Sequence, residues 1–226
     1  MESRRSGVRS KRTFARIKNT NCGETESNMA VNFLESATKE NLMRAFAGES
    51  QARNRYTFAA SQAKKANLHV IEQLFTYTAQ QEKEHAEIFY HFLSAAAKEN
   101  INISGGYPVD ISDSIADLLQ MAHHNEYEEY QIVYKQFGDQ AKEEGFDSIA
   151  GTFYMIAGIE KIHGDRFARF ADMLRQNQLF SADQETGWLC LNCGYVHTGK
   201  EAPKICPVCR HNQGYYIRWA DSLFEN

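Results

Sequence analysis

The sequence predicts a mainly α protein: a four-helix bundle with one long crossover, followed by a small β module built on metal knuckles. Three observations carry that prediction. Four long segments repeat apolar side chains at alternating steps of three and four, the period of a helix facing a bundle core. Two of these segments contain Glu-x-x-His, at Glu82–His85 and Glu160–His163. The C-terminal stretch contains two Cys-x-x-Cys pairs.

The helices are expected at about 38–65, 68–98, 112–144 and 146–177. Asn67 and Gly145 mark tight connections between neighbours, and the Gly-Gly-Tyr-Pro stretch ending at Pro108 marks the crossover, about 99–111. The first stripe reads Leu42, Ala45, Glu49, Ala52, Tyr56 and Ala59; the second, Ile71, Phe75, Thr78, Glu82, His85, Phe89 and Phe92. The third reads Ile115, Leu119, Ala122, Glu126, Glu129, Val133 and Phe137; the fourth, Ile149, Phe153, Ile156, Glu160, His163, Phe167 and Phe170.

In every stripe the ionisable side chains have apolar residues on both sides. A carboxylate taken out of water without a partner costs several kcal/mol, and the stripes contain no lysine or arginine. Metal cations are the simplest partners for five glutamates and two histidines in one core. Glutamate and histidine at i and i+3 share a helix face. Two such pairs, with a glutamate from each of two other helices, are what a carboxylate-bridged di-iron centre needs.

Other polar residues read as ordinary surface. His69, His91, His123 and His124 are expected on helix surfaces or loops, and Glu84, Glu87, Glu128, Glu143 and Glu144 on solvated faces. Tyr56 and Tyr134, if buried, need partners for their hydroxyls, and a metal-bound carboxylate would serve.

Residues 36–178 form the helical domain and 179–187 a polar linker. In the module at 188–226, Cys190, Cys193, Cys206 and Cys209 are spaced C-x2-C-x12-C-x2-C, four thiolates for one tetrahedral metal. Iron and zinc both accept such a set. So short a segment cannot build a large core, so the metal is expected to stabilise it.

Residues 1–35 are basic and lack apolar periodicity. They read as a disordered or spurious upstream arm, with Met29 a sensible start, or as an organelle-targeting leader. No function is assigned to Cys22. The net charge of −4 over 226 residues is mild and argues for neither nucleic acid nor a membrane surface as main partner, and none is expected. No apolar run is long enough to span a bilayer. A cytoplasmic protein is expected, unless the arm directs it to an organelle.

With these residues in hand, the chain resembles the rubrerythrins. The resemblance rests on Asn41-Leu42 through Ala45-Phe46-Ala47-Gly48-Glu49-Ser50-Gln51-Ala52-Arg53-Asn54-Arg55-Tyr56, and on Gln81 to Ala86. It continues through Glu126-Tyr127-Glu128-Glu129-Tyr130, Glu143 to Phe146, Glu160-x-x-His163 and both knuckles, covering about 36–226. It implies a ferritin-like di-iron domain followed by a rubredoxin-like domain. It also implies that Glu49, Glu82, His85, Glu126, Glu129, Glu160 and His163 ligate the di-iron centre, with Glu82 and Glu160 bridging. Tyr56 and Tyr134 would hydrogen-bond ligand carboxylates. Cys190, Cys193, Cys206 and Cys209 would bind a single iron, shielded by Trp188 and Tyr195. Arg210 follows Cys209 where many rubredoxin knuckles carry glycine, which weakens the preference for iron over zinc and raises the local positive potential.

The implied reaction is two-electron reduction of hydrogen peroxide to water, with electrons relayed singly through the thiolate iron. They would come ultimately from a pyridine nucleotide through a reductase or rubredoxin partner. A homodimer or larger homo-oligomer is expected. The alternatives are a ferritin-type ferroxidase or iron-binding protein, and a binding protein with a structural zinc ribbon.

Overall fold

The computed structural model describes residues 31–222; most of the expected basic arm, including Cys22, lies outside them. Four helical rods form the bundle: α1 (Ala37–Lys65), α2 (His69–Phe92), an interrupted third rod, and α5 (Asp147–Arg175). The third rod consists of α3 (Ile115–Glu128), a π-helical turn (Glu129–Val133) and α4 (Tyr134–Glu143).

Helix ends follow from local chemistry. The Ser36 and Ser114 side chains accept from the backbone N–H groups of Lys39 and Asp117 at the starts of α1 and α3. At the far ends, Asn67 (φ 58°) and Gly145 (φ 86°) take the left-handed conformation. Each is followed by an N–H that reaches back to a carbonyl of the last turn, Leu68 to Ala63 and Phe146 to Ala141. These are the two tight connections expected from sequence.

Glu144, expected on a solvated face, has another role. Its carboxylate accepts from the N–H groups of Ala37 and Thr38, both at 2.9 Å, and from the Thr38 hydroxyl. It supplies acceptors and negative charge to the N-terminus of α1, tying it to the end of the third rod.

Two apolar clusters fill the bundle core. One contains Tyr56, Ile71, Phe75, Leu119, Phe167 and Phe170. The other contains Leu42, Phe89, Tyr134, Ile149, Phe153 and Ile156. Aromatic pairs close each, Phe75 with Phe167 at 5.2 Å and Phe89 with Phe153 at 5.0 Å between ring centres.

The π turn changes the third stripe. A π turn accommodates an additional residue, so positions beyond it rotate relative to a continuous α-helix. Val133 and Phe137, expected in the core stripe, are only partly buried, whereas Tyr134, Gly138 and Ala141 are buried.

The C-terminal module is a three-stranded antiparallel sheet in the order β2–β1–β3, with β1 at Ser181–Cys190, β2 at Val196–Glu201 and β3 at Tyr216–Arg218. Trp188 pairs with His197 on one side and Arg218 on the other. Where the sequence suggests a polar linker, residues 181–187 already run in β1. Ile217 of β3 joins the first bundle cluster. His69, expected on a surface, is buried with its ring stacked on Tyr215 at 3.9 Å. Gly214 meets the turn at Asn67 so closely that a Cβ would lie 1.7 Å from the Asn67 carbonyl oxygen, and only glycine fits there. Among the described residues no helix is long and apolar enough to cross a membrane.

Candidate metal centres

Between the two apolar clusters, two groups of ligand atoms converge. One comprises Glu49, Glu82, His85 and Glu160; the other comprises Glu82, Glu126, Glu160 and His163. Within each group the ligand atoms lie within 4.8 Å of one another, and every residue is buried. Glu82 and Glu160 belong to both. All four rods contribute: Glu49 from α1, Glu82 and His85 from α2, Glu126 from α3, Glu160 and His163 from α5.

The donor atoms are aimed at one another without being satisfied. His163 Nδ1 lies 2.8 Å from Glu160 Oε2 and 3.1 Å from Glu82 Oε1, yet has no aligned hydrogen bond. Glu49 Oε2, Glu82 Oε1, Glu126 Oε2 and both oxygens of Glu160 are buried without a hydrogen-bond partner. Leaving buried acceptors unpaired costs on the order of 1–3 kcal/mol each, and cations between the two groups would remove that cost. On its far side, His163 Nε2 lies 3.0 Å from Gln81 Oε1. A proton on Nε2 donated to Gln81 leaves the Nδ1 lone pair facing the carboxylates, the arrangement of a metal-ligating imidazole.

The electrostatics point the same way. Burial raises the carboxyl of Glu49, with Glu160 and Glu82 adding to it, and burial followed by Glu82 raises Glu126. Burial would also raise Glu82, but the imidazoles of His163 and His85 beside it hold it at about 2. Burial opposes charge on His85, yet Glu160 and Glu82 push it up to about 10, and His163 is raised by the same kind of contact with carboxylates. Without metal, protons on these groups partly offset the clustered negative charge. This is a di-iron type of carboxylate–histidine site.

Two buried tyrosines reach the carboxylates. The Tyr56 hydroxyl donates to Glu126 Oε1 and the Tyr134 hydroxyl to Glu49 Oε1. Each holds one oxygen of its carboxylate and leaves the other, Glu126 Oε2 or Glu49 Oε2, buried without a hydrogen-bond partner.

Glu129 stands apart. It lies on the π turn outside both groups. It lines a cavity of about 240 Å3 with Gly48, Tyr107 and Tyr134. Burial raises its carboxyl, with Glu126 and Glu160 adding to the shift. Six of the seven expected di-iron residues therefore converge directly, and the seventh is adjacent.

The four cysteines also converge. Sγ of Cys190 lies 3.7 Å from that of Cys209, and Sγ of Cys193 lies 3.7 Å from that of Cys206. These separations exclude disulfides. They match the edge of a tetrahedron, about 3.8 Å, with metal–sulfur bonds of about 2.3 Å. The backbone N–H of His211 lowers the Cys209 thiol to about 6, while burial pushes Cys190 up to about 12. Cys193 is exposed, whereas Cys190 and Cys206 are buried.

Both knuckles turn through the left-handed region, Gly194 at φ 77° and Arg210 at φ 64°. Their N–H groups donate to Cys190 O and Cys206 O, respectively. Arg210 thus occupies a conformation that favours glycine. Trp188 is buried in the module core and Tyr195 packs beside it. Tyr216, which no sequence signal singles out, is buried in the same cluster.

The rubrerythrin family model matches residues 40–171, and the model for the rubrerythrin rubredoxin-like domain matches 188–217. Rubrerythrin of Porphyromonas gingivalis is 43% identical over 193 residues, covering 85% of this chain and 94% of that protein. Rubrerythrin of Nitratidesulfovibrio vulgaris is 41% identical over 189 residues, covering 81% and 97%. Among solved structures, fully reduced, all-ferrous nigerythrin superimposes with a TM-score of 0.55 at 26% identity, covering 86% of this chain and 90% of that one.

Proposed function

The chain belongs to the rubrerythrin family, and on that premise we propose that it is a non-haem iron peroxidase reducing hydrogen peroxide to water. One observation carries the reading. A buried carboxylate–histidine site with unsatisfied oxygens and a partly exposed four-thiol site occur in one chain. A ferroxidase needs only the first, and a zinc-ribbon binding protein only the second.

Glu49, Glu82, His85, Glu126, Glu160 and His163 would hold two irons, with Glu82 and Glu160 shared, and the four cysteines would hold a third. When bound, the di-iron pair supplies the two electrons that peroxide reduction requires, one from each metal, and the thiolate iron supplies replacements singly. Tyr56 and Tyr134 orient Glu126 and Glu49. The apolar clusters on either side exclude bulk water. Trp188 and Tyr195 shield the thiolate centre, while exposed Cys193 provides the edge at which a donor docks.

The seventh residue gives the site two ligand sets. The four positive charges of two ferrous ions would be matched by Glu49, Glu82, Glu126 and Glu160. Oxidation adds positive charge and favours a further anionic oxygen over imidazole. Glu129 would offer an anionic oxygen to the diferric form, and His85 would offer its imidazole to the diferrous form.

The electrons come from a separate reductase or rubredoxin, ultimately from NAD(P)H. The protein works in the cytoplasm as a homodimer or higher homo-oligomer. The test is anaerobic. Protein with both sites iron-filled, given reduced rubredoxin, should turn over hydrogen peroxide repeatedly without accumulating iron. Iron accumulation without peroxide turnover would instead indicate the ferroxidase reading.

A further inference from the structure

The crossover between Leu93–Ala96 and α3 carries neither helix nor strand. Its Val109 and Ile111 side chains are 82% and 80% exposed, so apolar burial does little to hold it. Polar pins do instead. Arg44 Nε donates to Ser104 O at 3.0 Å, and the Tyr107 hydroxyl donates back to Arg44 O at 3.1 Å. Asp110 forms an ion pair with Arg55 of α1 and accepts from Asn125 Nδ2 of α3 at 2.7 Å. Together these fasten the strap across two rods beside the di-iron type site.

The pinned strap places the Tyr107 ring at the wall of the cavity that reaches Glu129 and Tyr134. Gly48 measures how narrow that place is. A Cβ added there would lie 3.8 Å from Tyr107 Cε1 and 3.9 Å from Glu129 Oε1. One methyl group would touch both ring and carboxylate at ordinary van der Waals distance. The cavity, about 240 Å3, is also smaller than the roughly 300–1,000 Å3 typical of sites for drug-sized molecules.

We infer that Tyr107 sets substrate size: held across the Glu129 cavity by the crossover, its ring admits hydrogen peroxide and turns away bulky organic hydroperoxides. The inference rests on the peroxidase reading for its substrate class, but the steric gate can be tested without iron chemistry. Val133 lines the same cavity and is not an expected ligand. In the full chain carrying Val133→Cys, the new thiol is labelled with small methyl methanethiosulfonate or bulky dithiobis(nitrobenzoate), and the modified peptide is located by mass spectrometry. Adding Tyr107→Ala should raise the bulky-to-small labelling ratio by about tenfold or more, while Tyr107→Phe, which keeps the ring, should leave it low.

Single-turnover assays then compare cumene hydroperoxide with hydrogen peroxide on pre-reduced protein. Each hydroperoxide takes two electrons from the protein and two protons, giving its alcohol (or water) plus water. Tyr107→Ala should raise the cumene-to-hydrogen-peroxide rate ratio, and Gly48→Ala should lower it. General loosening of the fold would not produce opposite signs. An unchanged labelling ratio in Tyr107→Ala overturns the gate. Altered labelling without altered selectivity, in protein that reduces hydrogen peroxide, overturns the specificity role. If wild-type protein reduces neither substrate, the peroxidase reading fails while the labelling result still decides the gate.

Discussion

The bundle site and the thiolate site are built on opposite economies of structure. The six converging ligands of the bundle come from four rods and lie between two large apolar clusters. The thiolate site draws its ligands from two short knuckles, and among the described residues its core cluster has Trp188, Cys190, Ala202, Cys206 and Tyr216 as buried members. The first is a cluster of ionisable side chains set between two large apolar clusters. In the second, two of the four cysteines, Cys190 and Cys206, are themselves part of the core. Burial marks the same contrast: all six bundle ligands are buried, whereas Cys193 is exposed. A buried site suits chemistry that must exclude water, and an exposed edge suits electron exchange with another protein.

The contrast is broken most sharply by separating the two sites. Cys206→Ser replaces a soft thiolate by a poor ligand and leaves the bundle untouched. Steady-state peroxide turnover with an external donor should collapse, while pre-reduced protein should still consume about one equivalent of peroxide per di-iron pair. Unchanged steady-state turnover would remove the module from the electron path.

Metal removal should divide the molecule along the same line. In chelator-treated protein, amides of β1 to β3 should lose hydrogen-exchange protection while far-UV circular dichroism retains most of the helix signal. Equal loss in both would mean that the bundle also depends on its metals to fold. The metal-free bundle should be pH-sensitive. His85 is raised to about 10, so its contribution is present below its ordinary value of about 6.5 and is lost as pH rises towards 10. The raised Glu49 and Glu126 act with the same sign. Thermal melts should fall across pH 6.5 to 10 in the metal-free protein and change much less in the loaded one.

Glu129→Gln sharpens the comparison inside the bundle. The other six residues still converge, so iron occupancy should change little, while re-oxidation by peroxide should slow by about tenfold or more. Crystal structures of both redox states with Glu129 away from metal in each would remove its proposed role.

The smallest effect lies in the module. Arg210→Gly relieves a left-handed non-glycine residue, and a gain of up to about 1 kcal/mol is expected in denaturant unfolding of the module. A loss of stability would show that the arginine side chain has a compensating contact.

Much of this was readable from residue pattern. The three-and-four periodicity locates all four rods, and the ionisable positions inside the stripes give seven residues, of which six converge and Glu129 lies outside both groups. The cysteine spacing identifies the four thiols that meet within tetrahedral distance. What escaped depends on contacts that local pattern does not encode. The π turn shifts burial from Val133 to Tyr134, and a stripe with apolar residues at both positions supports either register. His69 looks like a surface histidine until Tyr215 is folded against it. Glu144 looks solvated until the N-terminus of α1 arrives beside it. The polar start of β1 lacks the apolar alternation of a half-buried strand. Tyr107 lies in a loop whose position is set by Arg44, Arg55 and Asn125, on elements distant in sequence.

The proposal that the two metal sites act in series is tested most directly by titrating fully reduced, iron-filled protein with hydrogen peroxide under anaerobic conditions while recording the visible bands of the ferric thiolate centre. Three irons per chain hold three electrons, so about 1.5 equivalents of peroxide should be consumed per chain. The ferric-thiolate bands should rise as the thiolate iron delivers its electron to the bundle. Consumption that stops at about one equivalent with the thiolate centre still ferrous would contradict electron flow between the sites.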